Sequence, residues 1–199
     1  MNIQENWWST SLSQKIKKRR FDLICSTMDI DLNKKFSLLD VGAATGKDFI
    51  KFLDGYDNID ITGIDIDDYE INQANVKQIK GDAQNLPFED KSFDYIVSMG
   101  VLEHIEPIEK LCKVISEIDR VSKEYCVVVP CINTVLEPHL KSFRWQLRDY
   151  NKKEQIEGVG VNYFSDDAWL RFEGFKDASI KRFWYIPGLL LNIMIYKKS

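Results

Sequence analysis

Residues 38–46 read LLDVGAATG, a short apolar run followed by a turn of small residues between two glycines. The run predicts a buried strand over 36–41 (FSLLDV), because continuous apolar segments of this length are typical of parallel sheets. The glycines allow a ligand to approach the backbone of the turn closely. Since ligands of open parallel sheets bind at the carboxyl ends of the strands, the stretch predicts an α/β fold and the position of its cleft.

Outward from this stretch, apolar runs alternate with helical patterns, as in βαβ units. Further strands are predicted at 59–65, 76–82, 92–99, 125–130, 178–185 and 190–197, and helices at 12–28, 46–54, 107–122 and from about Asp166 after the N-cap Ser165. Pro187 and Gly188 form a turn between the last two strands, which are expected to pair antiparallel. The predicted fold is a Rossmann-like open twisted sheet, mostly parallel with an antiparallel last strand, and with helices on both faces.

The helix predicted at 12–28 is amphipathic. Its basic run KIKKRR (15–20) falls mostly on the face opposite to the apolar residues, so the apolar side is expected to pack on the core. The apolar residues at helical spacing are Leu12, Ile16, Leu23, Ile24 and Met28.

The composition limits the classes of partner. A net charge of −4 argues against a general nucleic-acid binder, which would be basic over the whole domain. The first residues, MNIQENWWSTSLSQ, are too polar for a secretory signal, and the apolar segment 184–196 is too short to span a bilayer. We therefore expect a cytoplasmic protein that acts on a small molecule, without nucleic acid or membrane.

The turn after the first strand discriminates between ligands. A dinucleotide fingerprint would read GxGxxG, whereas Gly42 and Gly46 enclose Ala-Ala-Thr. Asp40, just before the turn, would repel a diphosphate, and Asp65, at the end of the second strand, is placed for a bidentate hydrogen bond to a ribose diol. A nucleoside with a positive charge and no phosphate satisfies both conditions.

Four ordered segments carry a family resemblance: LLDVGAATG (38–46), ITGIDID (61–67), KGDAQNLPFEDKSFDYIVSMGVLEHI (80–105) and NYFSDDAWLRFEGF (162–175). From about Phe36 to Phe175 the chain resembles the class I S-adenosylmethionine-dependent methyltransferases, in particular the small-molecule type 11 group. The resemblance implies that S-adenosylmethionine is the cofactor. It also implies methyl transfer to an oxygen, or alternatively a nitrogen, of a small polar metabolite, as in natural-product, quinone or surface-polysaccharide pathways.

The resemblance also implies a set of cofactor-binding residues. Asp40, Gly42 and Gly46 would lie at the methionine end, Asp65 at the ribose, Asp82 and Ala83 at the adenine, and Met99 near the sulfonium. The other cofactor-binding residues implied are Ala43, Ala44, Thr45, Ile66, Gln84 and Gly100. The family usually has glycine where Ala44 stands. We therefore expect either a slightly displaced cofactor or a turn that stays at negative φ.

His104, in VLEHI, follows the fourth strand and is the candidate catalytic residue. A neutral imidazole facing the cleft can take the proton of an acceptor hydroxyl as the methyl group arrives. The alternative is a structural histidine that is hydrogen-bonded to a backbone carbonyl.

The insertion EPHLKSFRWQLRDYN (137–151) is where acceptor specificity is expected. Lys141, Arg144 and Arg148 recur at helical spacing and predict a cationic helix face that binds a phosphate or carboxylate of an anionic acceptor. His139 is a further candidate for acceptor binding. The alternative is an ordinary solvated helix.

Some of these residues also resemble the ligands of a metal site. Glu103, His104 and His139 resemble the ligands of methyltransferases that bind a divalent metal, but Gly100 occupies the first carboxylate position, which leaves the ligand set incomplete. We therefore expect no metal.

Trp7 and Trp8 resemble a mobile N-terminal cover over the acceptor site; alternatively they form an apolar patch on the first helix. The chain is expected to be one domain, with a cover and helix (1–35), a cofactor-binding half (36–130), and an acceptor-selecting insertion with the final strands (131–199). Two other functions share part of this pattern: an NAD(P)-dependent oxidoreductase and a non-catalytic module that binds S-adenosylmethionine.

Overall fold

The protein is described from a computed structural model, and the described residues are 11–73, 75–137, 139, 142–148 and 161–199. The helices of this part are α1 (Ser11–Thr27), α2 (Ile108–Val121) and α3 (Asp166–Trp169), with 3-10 turns at Ile50–Leu53, Leu102–His104, Trp145–Leu147 and Glu173–Phe175. The strands are β1 (Phe36–Val41), β2 (Ile59–Asp65), β3 (Val76–Lys80), β4 (Phe93–Met99), β5 (Ser122–Pro130), β6 (Leu136–Glu137), β7 (Ser142–Phe143), β8 (Ser179–Ile186) and β9 (Leu190–Lys197). The bounds of β1, β2 and β9 are those predicted from the sequence.

Seven strands form one sheet in the order β3-β2-β1-β4-β5-β9-β8. Strands β1 to β5 pair in parallel, and β9 is antiparallel to both of its neighbours, β5 and β8. The predicted Rossmann-like sheet with an antiparallel last strand is therefore confirmed. Because β2 and β4 flank β1 on opposite sides, the strand order reverses at β1, and a cleft is expected at the carboxyl ends of β1 and β4.

Helices cover both faces of the sheet, as predicted. Successive residues of a strand point to opposite faces, and in β5 Tyr125 and Val127 belong to one apolar core while Cys126 and Val128 belong to the other. The first core packs against α2, and the second against α1. The sheet is thus buried on both sides, which explains the near-continuous apolar strands in the sequence.

The face of α1 that packs on the protein differs from the prediction. Lys17 and Arg20, which were expected opposite the core, are buried, while Leu12 is exposed. Both basic side chains form ion pairs with Asp48 in the segment after β1, and the Arg20 guanidinium lies over the ring of Tyr185. These partners come from distant parts of the chain, so helical periodicity did not reveal them.

The helix predicted at 46–54 is wrong, because only the 3-10 turn Ile50–Leu53 forms there. Gly46 has φ +69 and Phe49 has φ −131 with ψ −57, and neither is a helical conformation. Phe49, Ile50 and Leu53 are nevertheless buried, so the apolar pattern correctly identified the residues that enter the core.

The described part of the insertion forms no α-helix. Leu136–Glu137 and Ser142–Phe143 pair as a short antiparallel ribbon, and a 3-10 turn follows at Trp145–Leu147. Arg144 has a left-handed backbone (φ 56), which interrupts any helix, so the predicted shared helical face of Arg144 and Arg148 is wrong. None of the described helices combines the length and apolarity needed to cross a membrane.

Candidate active site

A cleft of about 570 Å³ opens at the carboxyl ends of β1, β2 and β4, where the sheet topology predicts a ligand. Nine of the residues assigned to the site from the sequence line this cleft: Gly42, Ala44, Asp65, Ile66, Asp82, Ala83, Gln84, Gly100 and His104. The structure therefore brings together residues that lie up to 62 positions apart in the chain.

The turn after β1 contains three residues with positive φ, namely Gly42, Ala44 and Gly46. Gly42 has φ +79, and a Cβ atom there would overlap a methyl group of Val101, so this position requires glycine. Ala44 has φ 45, which corrects the expectation of a turn that stays at negative φ. The left-handed conformation costs an L-residue about 1–2 kcal/mol, so other interactions must hold Ala44 in place.

Asp65, at the end of β2, supplies that interaction. Its Oδ2 accepts a hydrogen bond from the backbone N–H of Ala44 at 2.9 Å, and its Oδ1 accepts one from the N–H of Asp67 at 3.2 Å. A carboxylate has about four lone-pair sites, so both oxygens keep capacity for further donors. Asp65 thus holds the turn and also faces the cleft.

Asp82, after β3, organises the opposite wall in the same way. Its Oδ1 accepts from the backbone N–H of Gln84 at 2.9 Å, and its Oδ2 accepts from the Gln84 side-chain amide at 2.8 Å. The two contacts fix the Asp82 carboxylate at the cleft wall, and its remaining lone pairs are available to a donor such as an amino group.

Two buried carboxyl groups lie beside the cleft. Burial raises the pKa of Asp40 to about 8; the charges of Asp48 and Asp65 act in the same direction, and Arg20 opposes them. Burial likewise raises the pKa of Glu103 to about 7, and the Oε2 atom of Glu103 has no hydrogen-bond partner within the described part of the chain. Both groups would be stabilised in the charged form by a cationic ligand.

His104 lies in the 3-10 turn after β4 and lines the cleft. The ring of His139 packs against it, with centroids 5.0 Å apart and planes at 75°. His139 Nδ1 in turn lies 2.6 Å from Oε1 of the buried Glu137. The structure therefore brings together two histidines that the sequence separates by 35 positions.

Other predicted site residues lie elsewhere. Asp40, just before the turn, and Ala43 and Gly46, within it, are buried but do not line the cleft; Met99 is half-buried, and Thr45 is exposed. Arg144 and Arg148 are exposed and do not line the cleft, and the Arg148 guanidinium lies over the ring of Trp145. Trp7, Trp8 and Lys141 lie outside the described residues. The roles assigned to all of these residues stay predictions.

Sequence reasoning missed Glu137 as a partner of His139. Glu137 ends β6 and His139 lies in the turn that follows, so strand alternation gave no signal for this pair. It also missed the cleft residues Val101, Tyr69, Glu106 and Lys110, for which the chain offers no local pattern. Within the described residues, no group of three or more histidine, cysteine or acidic side chains is arranged to hold a metal ion.

Comparison with known proteins finds similarity to methyltransferases. A family model described as a methyltransferase domain, of type 11, matches residues 39–129. The rice (Oryza sativa subsp. japonica) 2-methyl-6-phytyl-1,4-hydroquinone methyltransferase 2, chloroplastic, is 26% identical over 163 residues, which are 77% of this chain and 43% of the relative. Sterol 24-C-methyltransferase ERG6B of Gibberella zeae is 28% identical over 109 residues, 48% of this chain and 27% of the relative. The chain spans less than half the length of these curated relatives.

Solved structures share the fold. The 1,6-didemethyltoxoflavin-N1-methyltransferase of Burkholderia thailandensis, bound to S-adenosylhomocysteine, superposes with a TM-score of 0.60 at 13% identity, covering 98% of this chain and 82% of the other. Magnesium protoporphyrin IX methyltransferase from Synechocystis, also bound to S-adenosylhomocysteine, has a TM-score of 0.59 at 14% identity, covering 92% of this chain and 82% of the other. Residues 39–129 of this chain are thus similar to a methyltransferase domain of type 11, and the chain shares the fold of these solved methyltransferases.

Proposed function

We propose that the protein transfers a methyl group from S-adenosylmethionine to an oxygen of a small polar metabolite. The observation that carries this proposal is the charge of the cleft. Four carboxylates line it (Asp65, Asp67, Asp82 and Glu106), and Lys110 is the one lysine or arginine among the described lining residues. Such a cleft favours a cationic nucleoside and repels the diphosphate of a dinucleotide.

The residues present fit S-adenosylmethionine. The lone pairs that remain on Asp65 are placed for a ribose diol, and those on Asp82 for the amino group of adenine. The buried carboxyl of Asp40 and the unpartnered Oε2 of Glu103 suit the positive charges of the methionine end. When bound, this cofactor supplies an electrophilic methyl group.

The chain's own contribution is alignment and removal of a proton. Alignment of two reactants alone supplies roughly 7–11 kcal/mol in well-oriented systems. His104 lines the cleft and is the candidate general base, which contributes on the order of 10²–10⁴ in rate when the acceptor is a hydroxyl. Nitrogen is the alternative acceptor atom, and natural-product or surface-polysaccharide biosynthesis is the proposed setting.

The sequence-based assignment of acceptor binding to Arg144, Arg148 and His139 is part of this proposal. Both arginines are exposed on the segment that carries the ribbon β6–β7, so they are accessible to an anionic group of the acceptor. Planar guanidiniums bind such groups in a bidentate manner.

Two measurements test the function. Thermal-shift assays compare S-adenosylhomocysteine with NADH, and only the former is expected to raise the melting temperature. The full chain is then incubated with S-adenosylmethionine and a metabolite extract, and the small molecules are analysed by mass spectrometry. A product that is heavier than its acceptor by one methylene unit is expected. Stabilisation by NADH alone would support the oxidoreductase, and binding of S-adenosylhomocysteine without any methylated product would support a non-catalytic module.

A further inference from the structure

Glu137 and His139 form a closely coupled pair behind the cleft. Glu137 lies in β6, pairs with Ser142 of β7, and is 1% exposed. Its Oε1 lies 2.6 Å from Nδ1 of His139. A carboxylate oxygen at this distance accepts a hydrogen bond from a proton on Nδ1, so we assign the proton of His139 to Nδ1, with the buried Glu137 orienting its ring.

The pair contacts the cleft through one residue. His104 lines the cleft, whereas neither His139 nor Glu137 does. The rings of His104 and His139 are nearly perpendicular, with centroids 5.0 Å apart, which is a favourable edge-to-face distance for aromatic rings. The buried carboxylate of Glu137, the imidazole of His139 and the imidazole of His104 thus follow one another towards the cleft.

We propose that Glu137 and His139 are positioning residues that hold the ring of His104 towards a hydroxyl acceptor. This inference rests on the proposed methyl transfer and specifies its acceptor group. A ring nitrogen of His104 takes the hydroxyl proton while an oxygen lone pair bonds to the methyl carbon, and the carbon–sulfur bond breaks with its electrons passing to sulfur. The products are the methyl ether, the neutral thioether and protonated His104, which returns its proton to solvent.

The charged groups around His139 agree with this role. The hydrogen bond from His139 to Glu137 raises the pKa of His139, burial opposes the rise, and the charges of Glu137 and Glu103 add to it. Among the described residues, His104 and Tyr163 also belong to this cluster; burial raises the pKa of Tyr163, and the charge of Glu137 adds to the rise. A hydrogen bond from Nδ1 to Glu137 is compatible with both the neutral and the protonated ring of His139.

The test uses the full chain, S-adenosylmethionine with an isotopically labelled methyl group, and a low-molecular-mass filtrate of cell extract as the source of acceptors. The variants are His139→Ala, Glu137→Gln and His104→Gln, with Glu173→Gln as a matched control because Glu173 is highly exposed and outside the cluster. Three properties of each protein are measured: its affinity for S-adenosylhomocysteine, its single-turnover rate of label transfer from pH 6 to 9, and the NMR signals of its histidine ring nitrogens.

We expect His139→Ala to lower the single-turnover rate by about 10²-fold, as small misplacements of catalytic groups do. Glu137→Gln should lower the rate less, because the amide oxygen still accepts the hydrogen bond from Nδ1. In both variants the affinity for S-adenosylhomocysteine should stay as in the wild type, while the His104 ring signals shift. The half-saturating filtrate concentration should stay unchanged in Glu137→Gln, because this variant retains the His139 side chain. A purely structural role would instead lower the melting temperature and weaken cofactor binding.

Two results would overturn the proposal separately from the function. Rates of His139→Ala and Glu137→Gln within a factor of about two of the wild type, beside an impaired His104→Gln, would remove the positioning role alone. Proton-bearing Nε2 in neutral His139 would do the same, because Glu137 would not then set its orientation. A wild type that neither binds S-adenosylhomocysteine nor transfers label would overturn methyl transfer, and the positioning role with it.

Discussion

The carboxylate of Asp65 accepts a hydrogen bond from the backbone N–H of Ala44, 21 residues earlier in the chain, at 2.9 Å. Ala44 has a left-handed backbone, and the hydrogen bond holds it there. The residue expected to bind a ribose therefore also maintains the turn on which the methionine end of the cofactor would lie. Ligand affinity and local stability are thus coupled at Asp65.

Asp65→Ala should weaken binding of S-adenosylhomocysteine by about 1.5–3 kcal/mol, which is the range for hydrogen bonds to a charged group. It should also lower the free energy of unfolding, because the N–H of Ala44 loses its partner. Calorimetry and denaturant unfolding measure the two effects. Asp68→Ala is the control, since Asp68 is exposed and does not line the cleft. Equal dissociation constants for wild type and Asp65→Ala would place Asp65 outside the ribose site.

Ala44→Gly should stabilise the protein by about 0.5–1 kcal/mol. Glycine adopts positive φ without the cost of about 1–2 kcal/mol that alanine has there, and its greater backbone entropy in the unfolded chain offsets about 0.5–1 kcal/mol of the gain. Ala43→Gly is the matched control, because Ala43 is buried and is not among the residues with positive φ, so the same change should destabilise. Unfolding in urea measures the free energy of unfolding of each variant relative to the wild type. A destabilised Ala44→Gly would mean that the methyl group of Ala44 makes a needed contact.

Asp40 should make stability depend on pH. Its pKa is raised to about 8 by burial, so the folded protein keeps a proton that the unfolded chain releases. Stability is then lost as pH rises from about 4 to about 8, by up to about 1.4 kcal/mol per pH unit. Asp40→Asn should remove this dependence and unfold at higher denaturant concentration than wild type at pH 8. Parallel pH profiles for the two proteins would contradict the raised pKa.

Arg144→Gln combined with Arg148→Gln tests the anionic acceptor. If the guanidiniums hold an anionic group of the acceptor, KM for the acceptor should rise steeply, and the wild-type KM should increase with salt because exposed charges are screened. The affinity for S-adenosylhomocysteine should not change. Steady-state kinetics with the methylated compound found by mass spectrometry provide the measurement. Identical KM values would assign the choice of acceptor to other residues.

Much of the cleft could be predicted from the chain because it depends on local rules. Strand ends can be read from apolar runs, and the parallel arrangement brings Gly42, Asp65 and Asp82 to one edge. The helix at 46–54 could not be excluded in this way. Its apolar spacing is helical, but the backbone at Gly46 and Phe49 is determined by how Phe49, Ile50 and Leu53 enter the core.

The sequence by itself determined the order of the main strands and the position of the glycine turn, because each depends on neighbours within a few positions. Only the tertiary structure decided which side chains meet. It buried Lys17 and Arg20 of α1 against Asp48, and it brought His139 with its carboxylate partner to His104. Such contacts form only when distant segments pack against each other. Their free energy therefore cannot be inferred from the local sequence of either segment.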